Sequence, residues 1–507
     1  MRISENEIEA LVRGVLNNLQ NENGNTVFDG KLNPAPGAYG GPSKFGGGRI
    51  DDPQNRPSHE HAHGASELHG LHGIFDSPDE AVRAAQTAQQ QWVSLPLTKR
   101  QECVQAMRDA GVLQARHLAE MTVEETGLGR VDDKEVKNQL ASEKSPGWEM
   151  LPLTTFYGED GLTIEDYFPF GVLCGITPVT NPTSGLINNA IIFAVGGNSG
   201  VFCPHPSAKK STMTTMAVMN DAVANAGGPR NLFTGVANPT LETAQAIMQN
   251  PIVRLINATG GPAVVKAALA VGKKAVCAGP GNPPAIVDET ADLDNAATAI
   301  VGGASFDNNL LCIGEKIVVA VDSIADKLIE KMRMAGAYLV SGDDAKRLVE
   351  YVIPDGHVAK EPIGLDAAVI LAKIGISAPR DTKVVLLELP ADHPLVIEEQ
   401  LMPVLPLVRA RDFHQAVEFA FKAEGGRGHT LVVHSQNINR ISALRNSYPC
   451  NVFVANGSSA AAEGIGGEGY LAMSLAGHTG EGFTNPATFV KKRRVALAGA
   501  MGTGGRI

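Results

Sequence analysis

The chain has 507 residues, a formal net charge of −11, 43% hydrophobic residues and 5% aromatic residues. Its length suits about three domains of about 150 residues each, and its acidic balance argues against a nucleic-acid partner, whose phosphates need a basic face. No stretch offers about 18 uninterrupted apolar residues for a membrane span, and the six cysteines are widely spaced, with no Cys-x-x-Cys and no zinc-like pairing, as in an intracellular, reducing setting.

Residues 1–20 read as one amphipathic helix. Ile8, Leu11, Val12, Val15, Leu16 and Leu19 fall on a single stripe, and Ser4 with Glu7 forms a capping box. Residues 21–73 are rich in Gly, Pro, Asn and His and show little periodicity, which predicts a flexible linker. A striped helix on a tether fits a docking peptide better than a core element. The linker histidines (His59, His61, His63, His69 and His72) have no fixed ligand geometry, so no metal site is expected.

From residue 74 the pattern alternates between helix and strand. "SPDEAVRAAQTAQQQWVSL" and "TKRQECVQAMRDAGVLQARHLAEMTVEETG" read as amphipathic helices. "FGVLCGITPV", "NSGVFCPHP", "RLINATGG", "KAVCAGPGNPPAIVD" and "GEKIVVAVDS" read as short apolar strands. Such alternation means parallel sheets with helices on both faces. Two stretches break the rhythm. Residues 153–170 form a hairpin candidate around Gly158 and Gly161, and "TFVKKRRVALAG" is an orphan strand. The two are expected to pair with each other or with another subunit, and the "KKRR" run reads as a solvated strand face.

Three glycine or cysteine segments bear on chemistry. "GIGGEG" at 464–469 has dinucleotide-loop spacing but no strand directly before it and no helix directly after it, so a turn or active-site loop is expected. In "RLINATGGPAVVKAAL" a strand ends at Thr259, Gly260 and Gly261 turn the chain, and Pro262 opens a helix whose N–H groups could face an anion. In "SFDNNLLCIGEK", Cys312 sits in polar, turn-forming surroundings after a helix. Such a loop position suits a nucleophile, although a buried core thiol remains the commoner fate of a lone cysteine.

"ITPVTNP", "ATGG", "GPGNPPAIVDETADLDNA", "FDNNLLC" and "EEQLMPVLPLV" occur in the order and spacing of the aldehyde dehydrogenase superfamily. The likeness covers about 74–500. It is nearest the CoA-acylating branch, the propionaldehyde and acetaldehyde dehydrogenases of bacterial microcompartments. The fold implied is α/β, with two parallel-sheet, Rossmann-like domains and an oligomerisation flap made of the hairpin and the C-terminal strand. The boundaries implied are 74–280 for a dinucleotide-binding domain carrying the 153–170 hairpin, 281–475 for a catalytic domain, and 476–507 for a C-terminal oligomerisation segment.

The same resemblance implies roles. Cys312 matches the nucleophile. The oxyanion donor, normally an Asn, falls at Thr180, with Asn181 next to it, so both are candidates. Thr259, Gly260 and Gly261 match the turn approaching the cofactor pyrophosphate, Glu399 the residue at the nicotinamide ribose, and Thr177 and Pro178 lie in the cofactor-facing part of their motif. His205 either stacks on adenine or caps a turn, and His429 either lies near the thioester or serves a structural hydrogen bond. The general-base Glu of hydrolytic members reads Ala278, and alanine accepts no proton, so the acyl group is expected to await CoA rather than water. The reaction implied joins a short aldehyde (propionaldehyde first, or acetaldehyde), CoA and NAD. NADP also stays open because Lys209 and Lys210 follow His205. The implied setting is cytoplasmic, inside a microcompartment, as a homodimer or dimer of dimers whose N-terminal helix meets a shell or core protein. Two other readings stay open: a hydrolytic dehydrogenase, and a non-catalytic scaffold.

Overall fold

The computed structural model describes residues 72–503, so the helix expected at 1–20 and its linker as far as residue 71 lie outside the described residues. At the edge of that linker, His72 places its ring Nδ1 3.0 Å from Asp221 Oδ1.

Two parallel sheets dominate. In the first, six strands run in the spatial order Ile74–Phe75, Phe233–Val236, Ser199–Pro204, Val172–Thr177, Val253–Thr259, Lys274–Ala278. Val172–Thr177 is flanked by Ser199–Pro204 on one side and Val253–Thr259 on the other. The order of chain addition therefore reverses there, and the carboxyl ends of strands at such a switch point open a crevice. The strands are largely apolar because helices cover both faces. The helix Pro182–Val195, every residue of which is buried, lies on one of them.

The second sheet has seven parallel strands, in the order Ala337–Leu339, Val384–Glu388, Val404–Ala410, Ile317–Val321, Pro284–Val287, Thr430–His434, Val452–Ala455. Its two faces carry separate apolar clusters, one aliphatic around Ile300, Leu328 and Leu386, the other with aromatic members around Phe413, Phe421 and Leu431.

Two readings of the sequence need correction. "KAVCAGPGNPPAIVD" is not one strand: Lys274–Ala278 belongs to the first sheet and Pro284–Val287 to the second. The intervening Gly-Pro-Gly-Asn-Pro removes ladder donors and redirects the chain. "TKRQECVQAMRDAGVLQARHLAEMTVEETG" is two helices, Leu97–Leu113 and Ala115–Thr126, broken at Gln114, and the second stops at left-handed Gly127.

The hairpin and the orphan strand do pair. Thr154–Gly158 turns back through Gly158 and Gly161 into Gly161–Pro169, and Val490–Ala498 adds antiparallel along its whole length. Gly161, at φ 131°, is required there, since a Cβ would sit 2.0 Å from the Leu497 carbonyl oxygen. The basic run is a strand face as expected, with Arg493 bonded to Asp166 and Arg494 to Glu165 across the ladder. Phe156, Tyr157, Phe168 and Leu497 of this three-stranded flap are exposed.

Candidate active site

The crevice at the switch point is a cavity of about 740 Å³. Thr177 and Pro178 line it where Val172–Thr177 ends, and Thr259, Gly260 and Gly261 line it where Val253–Thr259 ends. The helix Pro262–Ala270 starts at Gly261 with proline in its first turn, so its free N–H groups and positive dipole end look into the crevice. Thr259 is held by a 2.9 Å contact between its hydroxyl and that of Ser474. The Thr177 hydroxyl is buried without a hydrogen-bond partner. Toward the far end the walls become aliphatic, with Leu241, Ala244, Val264 and Val271 from two helices. An apolar slot ending in a helix N-terminus and an orphaned hydroxyl fits an adenine dinucleotide.

His205 also lines the cavity, and its Nδ1 accepts the Ser207 N–H at 3.2 Å. The ring therefore caps a turn while facing the crevice. Close by, the helix Lys209–Asn225 begins. Its N–H groups at Lys210 and Ser211 both donate to Glu125, each at 2.7 Å.

Cys312 lines this cavity and also a second, adjoining space of about 30 Å³. The residue is half-buried and packs against an apolar cluster of the second sheet. The loop that presents it is strained: Asp307, Asn308 and Asn309 all adopt left-handed backbone, with φ of 48°, 53° and 62°. Three such residues in a row cost about 1–3 kcal/mol each, and side chains hold every one. Asp307 accepts the Arg130 N–H at 2.9 Å, Lys134 Nζ at 2.9 Å, and Lys137 Nζ. Asn308 donates to the Gly364 carbonyl at 2.8 Å, and Asn309 to that of Glu315 at 3.0 Å. From beyond the sulfur, the buried Lys316 ammonium reaches back to the Asn309 carbonyl at 2.5 Å, its side-chain oxygen at 2.7 Å and the Leu311 carbonyl at 3.1 Å.

The electrostatics follow from this burial. Burial pushes the Cys312 thiol up to about 12, the Glu399 and Glu463 carboxyls push the same way, and Lys316 opposes them. Lys316 itself is brought down to about 8 by burial, against the pull of Glu399, Cys312 and Glu315. For Asp307, burial works against the charge, but Lys137 and Lys134 outweigh it and hold the carboxyl below its ordinary range.

Of the two oxyanion candidates, both line the larger cavity, but only Asn181 also lines the smaller one beside the sulfur. Lys137 Nζ donates to Asn181 Oδ1 at 2.6 Å. An ammonium has no acceptor, so the oxygen must face Lys137 and the NH₂ must turn the other way, toward Thr180 Oγ1 at 3.3 Å and the cavity. Ala278 lines the cavity wall, while its neighbour Cys277 packs into the apolar cluster behind the sheet. Glu399 lines the cavity as well and accepts the Gly281 N–H at 3.2 Å.

His429 stands one layer back. A Cβ on Gly281 would meet the Cys312 carbonyl oxygen at 2.5 Å and the His429 ring at 3.0 Å, so glycine alone fits between them. The ring is buried, with Nδ1 2.8 Å from Thr430 Oγ1 and Nε2 without a partner. Burial drives it down to about 3, so it is neutral at pH 7. Sequence reasoning missed Lys137, Lys316 and Glu463. The last is buried in the small space beside Cys312 and closes the "GIGGEG" loop region at its start. Among the described residues no cluster of three or more metal-ligating side chains occurs.

The model of the aldehyde dehydrogenase family matches residues 75–357. The chain belongs to the aldehyde dehydrogenase family. This aldehyde dehydrogenase is 44% identical over 443 residues to the acetylating acetaldehyde dehydrogenase EutE of Salmonella typhimurium, covering 86% of the chain and 94% of that protein. It is 41% identical to the CoA-propanoylating propanal dehydrogenase of the same organism, over 84% of the chain and 92% of that protein. Among solved structures it resembles the Rhodopseudomonas palustris propionaldehyde dehydrogenase with bound CoA and an acylated cysteine, at a TM-score of 0.84 and 41% identity, covering 85% of this chain and 100% of that one. A propionaldehyde dehydrogenase from the fucose-utilisation microcompartment of Clostridium phytofermentans gives 0.83 and 41%, covering 84% of this chain and 98% of that one.

Proposed function

We propose that this protein is a CoA-acylating aldehyde dehydrogenase that converts a short aldehyde, CoA and NAD to acyl-CoA and NADH. The Cys312 sulfur adds to the aldehyde carbonyl, and the developing oxyanion is received by the Asn181 NH₂ and the Cys312 backbone N–H. NAD supplies the hydride acceptor when bound. Thr177, Pro178, His205, Thr259, Gly260, Gly261 and Glu399 would hold it in the large cavity. Loss of hydride from the acyl carbon leaves a thioester on Cys312. Attack by the CoA thiol then forms acyl-CoA and returns the Cys312 thiolate. Cofactor and CoA would both approach Cys312 from the large cavity, which favours ping-pong kinetics.

The observation that carries this reading is Ala278 on the cavity wall that Cys312 shares. With no carboxylate at that point of the wall, water attack on the thioester loses about 10²–10⁴ in rate. A hydrolytic reading is favoured by one observation, the Glu463 carboxyl in the small space beside the sulfur. Burial pushes that carboxyl up to about 8, however, so at pH 7 it is mostly protonated and only the minor ionised fraction could take a proton from water. NADH formation measured with and without CoA separates the two. Sustained turnover is expected only with CoA, and multiple turnovers in its absence would establish hydrolysis.

NAD is favoured over NADP because Glu125 already occupies the backbone donors at Lys210 and Ser211. The two sheets support a division at about residue 280, between a dinucleotide-binding part (74–280) and a catalytic part (281–475). The exposed aromatic face of the flap, completed by Val490–Ala498, supports a homodimer or dimer of dimers. The microcompartment relatives and the striped helix at 1–20 together support encapsulation through that helix.

A further inference from the structure

Glu463 is a costly residue in its place. The turn Ser459–Glu463 is pinned at its start, where the Ser459 N–H and hydroxyl donate to Glu315 at 2.7 and 2.8 Å, and it ends at left-handed Gly464. This fixes the Glu463 side chain, 6% exposed, in the wall of the small space shared with Cys312 and Asn181. The rest of that wall is largely aliphatic, with Leu471, Met473 and Leu475. A leucine would line it without penalty, whereas a buried carboxyl needs hydrogen-bond partners. Glu463 Oε2 accepts the Ala472 N–H at 2.8 Å. Among the described residues its other oxygen has no partner.

A neutral carboxylic acid has one accepting and one donating oxygen. Since Oε2 is engaged by the Ala472 N–H, Oε1 is the oxygen left to bond a group in the space beside the sulfur, as donor when protonated or as acceptor when ionised. The space, about 30 Å³, admits a group the size of a methyl or a hydroxyl. A charged substituent would lack a counter-charge, because Lys137 is already committed to Asp307 and Asn181.

We infer that Glu463 hydrogen-bonds a hydroxyl on the acyl chain, so that the substrate class of this enzyme is a short hydroxyaldehyde rather than a plain alkanal. The inference rests on the proposed reading of Cys312 as the nucleophile of an acylating dehydrogenase, and it makes Glu463 a specificity-determining residue.

The test compares kcat/KM of the full-length enzyme, with CoA and NAD, for propionaldehyde, 2-hydroxypropionaldehyde, 3-hydroxypropionaldehyde and glycolaldehyde. At least one hydroxyaldehyde is expected to exceed propionaldehyde by about tenfold or more, because a site built to bond a hydroxyl rejects the analogue lacking it. In Glu463→Leu that ratio is expected to fall at least about tenfold. Glu463→Gln, which keeps a donor, should retain part of the preference and decides the matter if the leucine variant does not fold. A wild-type preference for propionaldehyde that Glu463→Leu leaves unchanged would overturn the inference. So would equal loss of all aldehydes in a variant of normal melting temperature, since that places Glu463 in the chemistry. Failure of the parent reading looks different: no acyl-CoA from any aldehyde in the wild-type enzyme.

Discussion

The sharpest choice left by the motif at 177–182 is between Thr180 and Asn181, and substitution separates them. Asn181→Ala removes the NH₂ that the Lys137 bond turns toward the cavity shared with Cys312. Loss of a single oxyanion donor costs about 10²–10³ in kcat, or about 2.7–4 kcal/mol of transition-state stabilisation. Thr180→Ala removes only a hydroxyl 3.3 Å from that NH₂, so its effect should stay below about tenfold, about the worth of one ordinary hydrogen bond. The fold should survive Asn181→Ala, because Lys137 keeps its ion pair with Asp307 after losing a side-chain acceptor. Asn181→Asp should be worse than Ala, since it preserves the acceptor for Lys137 but sets a carboxylate where negative charge develops. The assay is initial NADH formation with saturating CoA and NAD, resolved into kcat and KM, alongside melting curves. The reasoning fails if Thr180→Ala costs as much as Asn181→Ala, or if Asn181→Ala raises KM and leaves kcat unchanged.

Three further outcomes follow from the same geometry. Lys316→Met strips the Asn309 carbonyl and side-chain oxygens of their buried donor, so urea denaturation should show a loss of about 2 kcal/mol or more, at about 1–3 kcal/mol per orphaned group; a loss below about 1 kcal/mol would mean that the ammonium does not hold the cysteine loop. With the Cys312 thiol pushed up to about 12, its thiolate fraction grows about tenfold per pH unit between pH 7 and 9, so peptide-resolved alkylation by iodoacetamide should climb by that factor without levelling. A plateau by pH 8 would show that the free enzyme already holds an activated thiolate. Glu125→Ala frees the N–H groups of Lys210 and Ser211, so the ratio of NADP to NAD kcat/KM should rise at least about fivefold, and an unchanged ratio would place the ribose elsewhere.

Much of the frame was legible in the sequence because local chemistry dictates it. The "ATGG" turn before Pro262 must reverse a strand into a helix, and the hairpin at 153–170 follows from glycines at both ends of its turn. The buried charges were not legible. The helix Val131–Lys144 turns Lys134, Lys137, Asn138, Ala141 and Ser142 inward, which is a polar inner face that an apolar-stripe reading passes over. Its partner Asp307 lies 170 residues from Lys137, in a strained loop that no periodicity announces. Glu463 hid among small residues as part of a glycine-rich stretch. Lys316 did leave a signal: a lysine at the entrance to the wholly buried strand Ile317–Val321 must find its acceptors inside the protein.

The three consecutive left-handed residues before the sulfur bear on how this segment can vary. At Asp307, Asn308 and Asn309 a glycine would relieve the backbone, yet none stands there. Each native side chain therefore contributes more by its hydrogen bonds than it costs in torsion, Asp307 and Asn308 to distant parts of the chain and Asn309 to the segment just past the sulfur. Variants at these three positions should divide accordingly, with glycine giving a soluble protein whose cysteine wanders, and a β-branched residue giving one that does not mature at all.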